Sequence, residues 1–235
     1  MSKFESIKEQ AWRYNVELKN RRVVIYTFGN VSVFDRHEGV FAIKPSGVPY
    51  ADMKPEDMVV VDLDNNTVEG RLRPSSDTKT HSVLYKNFQG IGGIAHTHST
   101  YAVSWAQAKT PIPVLGTTHA DLLCTEIPCT QEMGDEVIDG DYEEQTGHLI
   151  VRTLKDFSYK DTEMVLVAGH GPFTWGKTAE RAVYNSVMLE ELAKMAALTK
   201  MINPDTGRLN DTLIRKHFER KHGKNAYYGQ KENNP

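Results

Sequence analysis

The chain has 235 residues, 39% of them apolar and 25% charged, with a formal net charge of −3. This balance excludes a disordered or fibrous chain and gives no footing for a strongly basic nucleic-acid binder. Two cysteines, Cys124 and Cys129, make neither a disulfide framework nor a thiolate metal site, so free thiols in a reducing compartment are expected.

Taken in chain order, Phe4, Ile7, Ala11, Tyr14 and Leu18 recur at helical spacing and predict an amphipathic first helix. Four short β-rich runs follow, at 23–27, 31–34, 40–43 and 58–63, separated by Gly, Pro, Asn and Asp. Ser75-Ser76-Asp77 after Pro74 predicts a helix start, with the helix over about 78–88. Residues 91–98 read as a strand and 101–108 as a helix. Further strands are expected at 149–153 and 164–168, a long helix over 178–201, and a last helix over 211–221. This mixed order predicts one α/β domain over 1–230, with a largely antiparallel sheet and helices on both faces. The last residues, 231–235, are expected to be a disordered tail. The charged amino terminus lacks the apolar core of a signal peptide, and the longest apolar run is too short to span a bilayer, so a cytoplasmic place is expected. Basic residues gather near the carboxyl end (Arg215, Lys216, Arg220, Lys221, Lys224) and read as a solvated helix face.

His96-Thr97-His98 is the strongest local signal for chemistry. Residues two apart in a strand project from one face, so two imidazoles there can share a cation; core or surface histidines are the alternative. His170 lies between Gly169 and Gly171 at the end of an apolar strand, either as a third ligand or as a turn histidine. Asp77 is either an N-cap or an oxygen ligand. Lys44-Pro45-Ser46-Gly47 can offer charge, a hydroxyl and open amides to a phosphate, or can be an ordinary turn. Ser75 and Ser76 sit where a helix N-terminus favours an anion, or they simply cap it. Gly29-Asn30 also fits a turn between strands.

These pieces occur in one order. Thr27-Phe28-Gly29-Asn30 precedes Lys44-Pro45-Ser46-Gly47, then Pro74-Ser75-Ser76-Asp77 and His96-Thr97-His98-Ser99. Gly116-Thr117-Thr118-His119-Ala120-Asp121, His170-Gly171-Pro172-Phe173 and Ala226-Tyr227-Tyr228-Gly229-Gln230 follow. The series resembles the class II aldolase and adducin family, in particular its sugar-phosphate epimerases, over nearly the whole chain. The resemblance implies a three-layer α/β/α domain and a C4 homotetramer with active sites at subunit interfaces. It implies one Zn2+ per subunit, with Mn2+ or Co2+ able to serve, held by His96, His98, His170 and Asp77. Gly29, Asn30, Ser46, Gly47, Ser75 and Ser76 match substrate and phosphate contacts; Lys44, Thr117, Glu143 and His217 match the site more loosely. Asp121 and Tyr228 match the acid/base pair, the tyrosine arriving from a neighbouring subunit.

The implied reaction inverts C4 of a phosphorylated ketopentose, interconverting L-ribulose 5-phosphate and D-xylulose 5-phosphate. The C4 proton is β to the ketone and not acidic, so retro-aldol cleavage of C3–C4 and re-addition is the expected route. A tyrosine is a poor base without a nearby cation, so positive charge is expected beside Tyr228. Breakdown of L-arabinose is the usual setting of this reaction, and L-ascorbate and L-xylulose routes use the same ketopentose phosphates. The alternatives are a sugar-phosphate aldolase of the L-fuculose-phosphate type, and a non-catalytic module like the adducin head.

Overall fold

Helix α1 (Glu5–Asn20) buries Ile7, Ala11 and Leu18 at the spacing of one helical face. It packs on β1 (Asn30–Asp35) and β2 (Val40–Ile43), which pair antiparallel. Strands β3 (Val59–Asp62) and β4 (Thr67–Glu69) extend the sheet on that side. Helix α2 (Thr78–Asn87), β5 (Gly93–His96) and helix α3 (Thr100–Gln107) come next. Four helices follow: α4 (Thr117–Ala120), α5 (Asp135–Ile138), α6 (Tyr142–Thr153) and α7 (Tyr159–Thr162). The hairpin β6 (Met164–Val167) and β7 (Gly171–Gly176) leads into α8 (Ala179–Ile202) and α9 (Asp211–His222). This computed structural model describes residues 2–224 and 226–228; the expected tail at 231–235, with Gly229 and Gln230, lies outside them.

The seven strands run in the order β4-β3-β2-β1-β5-β7-β6, and every neighbouring pair is antiparallel. Side chains alternate between faces along each strand. On one face Val31, Val33, Val40, Ala42, Val60 and Ala95 pack under α1 and α8. On the other, Phe41, Ile43, Val61, Ile94, Phe173 and Trp175 meet Leu84 and Tyr85 of α2 and Ile150 of α6. Burial of each such side chain contributes about 1.5–3 kcal/mol, so the two cores tie both helix layers to the sheet. Helix α6 lies close on α2 because Gly147 has no side chain; a Cβ there would stand 2.6 Å from Val83 Cβ.

Two expected strands are not strands. Residues 23–27 are irregular, because Arg22 (φ 61°) and Tyr26 (φ 50°) take the left-handed conformation and stop an extended run. Only Val23 of that run is fully buried, while Ile25 and Tyr26 stay exposed. Residues 149–153 are the end of α6, where Leu149 and Ile150 face the core at helical spacing. Both cysteines are free. Among the described residues, no helix is long and apolar enough to cross a membrane.

Candidate active site

Strand β5 ends at His96, short of the expected boundary at 98, yet the two imidazoles still meet: Nε2 of His96 lies 3.0 Å from Nε2 of His98. The β6–β7 turn brings in His170, with Gly169 at φ +72°. The three rings each offer a nitrogen, and these atoms lie within 4.8 Å of one another. His96 stacks on Phe173 at 4.2 Å between centroids, and its Nδ1 lies 2.9 Å from the carbonyl oxygen of Pro172. The Nδ1 of His170 lies 3.2 Å from the Tyr142 hydroxyl. Burial pushes all three imidazoles below their usual range, His170 to about 4. At neutral pH they are uncharged, each with a lone pair to share.

Asp77 occupies the N-cap position of α2, but its side chain makes no capping bond. Its carboxylate instead accepts a hydrogen bond of 2.6 Å from Asn30 Nδ2. Burial works to raise this carboxyl, but the imidazoles of His96, His81 and His170 and the Asn30 amide outweigh it and keep it below the usual range. Three neutral imidazoles beside an ionised carboxylate form a donor set suited to a divalent transition ion. Asn30 Oδ1 and His81 Nε2 are buried here without a hydrogen-bond partner, so this is the polar end of the core.

Gly29, Asn30, Lys44, Ser46, Gly47, Ser75, Ser76, Asp77 and the three histidines line one cavity of about 360 Å³. The strands explain the convergence: Asn30 pairs with His96 across β1 and β5, and Lys44 directly follows β2. Gly29 is required by space, since a Cβ there would lie 2.9 Å from the His96 carbonyl oxygen and its φ is +88°. Lys44 is buried; its Nζ donates to the carbonyl oxygens of Thr27 at 3.3 Å and Pro45 at 3.2 Å and stands 5.0 Å from the centre of the Tyr50 ring. Among the described residues no carboxylate pairs with it, and burial pulls its ammonium down to about 8. A cation held without a counter-charge next to exposed serines has the chemistry to receive an anion.

Asp121, Tyr228, Thr117, His217 and Glu143 do not line this cavity. Thr117 opens α4, and Asp121 follows it. Asp121 is gripped from α9: Arg220 donates twice, at 2.9 and 2.6 Å, and His217 Nδ1 lies at 2.9 Å. Burial alone would raise the Asp121 carboxyl, but the bonds from Arg220 and His217 and the charge of Lys221 bring it down to about 2. Lys221 Nζ stands 4.2 Å and Arg220 Cζ 5.2 Å from the centre of the Tyr228 ring. Positive charge therefore does lie beside Tyr228, and the basic cluster is not simply a solvated face. Glu143 sits in the first turn of α6, where its carbonyl oxygen accepts from Thr80 Oγ1 at 2.6 Å. Two residues that touch the matched ones, Tyr142 against His170 and Arg220 against Asp121, were not singled out by motif. Asp141 and Glu144 stand at capping-box spacing, and the Asp141 side chain accepts from the Glu144 amide, a signal that would have revealed the helix carrying Tyr142.

An antiparallel sheet between two helix layers, with a three-histidine cluster that could hold a metal ion in a cavity at one end, is the architecture to be matched. The profile of the Class II Aldolase and Adducin N-terminal domain matches residues 9–197, and the chain belongs to this family. L-ribulose-5-phosphate 4-epimerase UlaF of Salmonella paratyphi A is 51% identical over 227 residues, 97% of this chain and 100% of the relative. The same protein of Salmonella typhi matches equally. Among solved structures, an L-fuculose 1-phosphate aldolase superposes with a TM-score of 0.76 at 25% identity, covering 94% of this chain and 97% of its own. YgbL of Escherichia coli, a putative aldolase/epimerase/decarboxylase, has the same fold, with a TM-score of 0.71 at 20% identity over 90% of this chain and 97% of its own.

Proposed function

We propose that this protein is a metal-dependent L-ribulose-5-phosphate 4-epimerase of pentose breakdown, a cytoplasmic homotetramer with residues 1–230 as one catalytic domain. The observation that carries the reading is one cavity in which a neutral three-histidine cluster with Asp77 faces the unpaired Lys44. The full-length match to relatives named as this epimerase selects the reaction within the family. Zinc is the proposed ion, with manganese or cobalt able to serve. Held by His96, His98, His170 and Asp77, it would supply Lewis-acid stabilisation of the charge that C–C cleavage develops on the three-carbon fragment.

The chain's own residues do the rest. Lys44 neutralises the phosphate, while Ser46, Gly47, Ser75 and Ser76 give it hydroxyls and amides. Gly29 and Asn30 leave room for the sugar beside the histidines. A base takes the proton of the C4 hydroxyl as the C3–C4 bond breaks, and the electron pair passes to the C2 carbonyl. The held aldehyde turns its other face, the bond reforms, and an acid protonates the new C4 oxygen. Asp121 and Tyr228 are assigned to these two transfers. Both lie on one chain away from its own cavity, so both would serve the cavity of a neighbouring subunit.

The test is conversion of L-ribulose 5-phosphate to D-xylulose 5-phosphate by the zinc-loaded protein, followed with a coupled enzyme. Conversion without free glycolaldehyde phosphate, abolished in Asp121→Asn and Tyr228→Phe, is the expected result. The L-fuculose-phosphate aldolase reading is favoured by the superposition on that enzyme. Release of lactaldehyde from L-fuculose 1-phosphate with no epimerase turnover would decide for it.

A further inference from the structure

We infer that Tyr142 is the positioning residue for His170, fixing which imidazole nitrogen faces the cation; this rests on the metal reading above. Two of the cluster's imidazoles have their Nδ1 occupied. For His96 the partner is the Pro172 carbonyl oxygen at 2.9 Å, and for His170 it is the Tyr142 hydroxyl at 3.2 Å. A carbonyl can only accept, so His96 Nδ1 carries the proton and its Nε2 is left as the donor to a metal. At His170 the Nδ1 likewise faces an oxygen, the Tyr142 hydroxyl; with that hydroxyl accepting, Nδ1 carries the proton and Nε2 faces the cation.

His170 needs such a partner more than His96 does. His96 is built into β5 and stacked on Phe173, whereas His170 stands on a tight turn after Gly169. Only Tyr142 makes a side-chain hydrogen bond to it among the described residues. Tyr142 is itself well fixed. It is the first residue of α6, whose N-terminus is tied to α2 by the Lys79–Asp141 ion pair and by the bond from Thr80 to the Glu143 carbonyl. Contact at Gly147 keeps the two helices close. Asp77 is the N-cap of α2, so Tyr142 links the turn carrying His170 to the helix layer that holds the proposed oxygen ligand. Loss of the hydroxyl would free the ring to rotate and would leave the acidic and imidazole ligands no longer set against one another.

The test uses Tyr142→Phe in the full chain, which keeps the aromatic ring and removes one oxygen. Zinc affinity is measured by competition with a chromophoric chelator, and the Co2+-loaded form is read by its visible absorption. Zinc affinity is expected to fall by roughly 10–100-fold, with a changed cobalt spectrum, while the metal-free proteins unfold at the same temperature. In a His170→Gln background the same substitution should have no further effect, which a purely structural tyrosine would not predict. Equal zinc affinity of Tyr142→Phe and the unsubstituted protein would overturn the role of Tyr142 alone. An unsubstituted protein that binds neither ion would overturn the metal reading and this inference together.

Discussion

Lys44→Met should make the protein more stable at neutral pH and at the same time remove its grip on phosphate. The Lys44 ammonium is buried, with two carbonyl oxygens and the face of the Tyr50 ring as its partners, and burial lowers it from 10.5 to about 8. At about 1.36 kcal/mol per pH unit that drop corresponds to about 3.4 kcal/mol against holding the charge, reduced to about 2 kcal/mol by solvent at the cavity mouth. Methionine fills a similar volume and forfeits two long hydrogen bonds worth about 0.5 kcal/mol each. The net gain is about 1 kcal/mol, or about 3 °C in Tm for a chain of this size. The sign follows from proton counting. Between pH 8 and 10.5 the unfolded chain still binds a proton that the folded chain has released, so the unsubstituted protein gains stability as pH rises through that window. Lys44→Met lacks this slope, and its advantage should be full below pH 8, vanish within the window and turn into a deficit approaching about 1 kcal/mol by pH 10.5. Thermal unfolding at pH 7, 9 and 10.5, with and without inorganic phosphate, measures both effects. Phosphate should raise the Tm of the unsubstituted protein at pH 7 and leave Lys44→Met unmoved. A stability difference that stays flat across the window, or equal protection by phosphate, would refute the reasoning.

Gly29→Ala should cost about 3 kcal/mol and most of the activity, because φ is +88° and the new Cβ would press on the His96 carbonyl at 2.9 Å. Urea unfolding and zinc titration check it together. Mixing two inactive variants, His98→Asn and Tyr228→Phe, should restore about a quarter of full activity if each site takes its histidines and its tyrosine from different subunits of a closed ring. No recovery after subunit exchange would place both groups in one chain's site.

The sequence was most legible where function and backbone geometry coincide. The His96 and His98 pair, the His170 turn and the Gly29-Asn30 corner could be seen in short words, and they converge because β1, β5 and the β6–β7 hairpin lie side by side. The amphipathic α1 was readable from periodicity, and α8 from its long run of helix-forming residues. Short apolar runs were not. Residues 149–153 carry as much Leu, Ile and Val as a strand, and only the Asp141 cap upstream reveals the helix. Residues 23–27 look extended until two left-handed residues bend them, a choice set by the Val23 amide bonding back to Leu18. Arg220 and Lys221 read as solvated because their partner, Asp121, is a hundred positions away along the chain. Tyr142 belongs to no word at all; its role exists only once α6 is packed on α2 beside the β6–β7 turn.

The cations around Asp121 pose a constraint on the proton transfers. With its carboxyl at about 2, protonating Asp121 at pH 7 costs about 7 kcal/mol at about 1.36 kcal/mol per pH unit. On the proposed assignment, turnover nevertheless passes through a state in which Asp121 has taken the C4 hydroxyl proton and Tyr228 has given one up. That state is less costly than the figure for Asp121 alone. The negative charge moves to a ring that stands beside the same Arg220 and Lys221, at 5.2 and 4.2 Å, so it never leaves the field of the two cations. On that assignment Arg220 would act on both transfers at once. Arg220→Met should lower kcat in both directions by at least about tenfold, with KM for the phosphorylated sugar little changed because the phosphate is assigned to Lys44 and the serines and not to Arg220. Steady-state rates measured from L-ribulose 5-phosphate and from D-xylulose 5-phosphate test this. A substitution that slows one direction while sparing the other, or that raises KM alone, would mean that the cations serve binding and that the proton passes by another route.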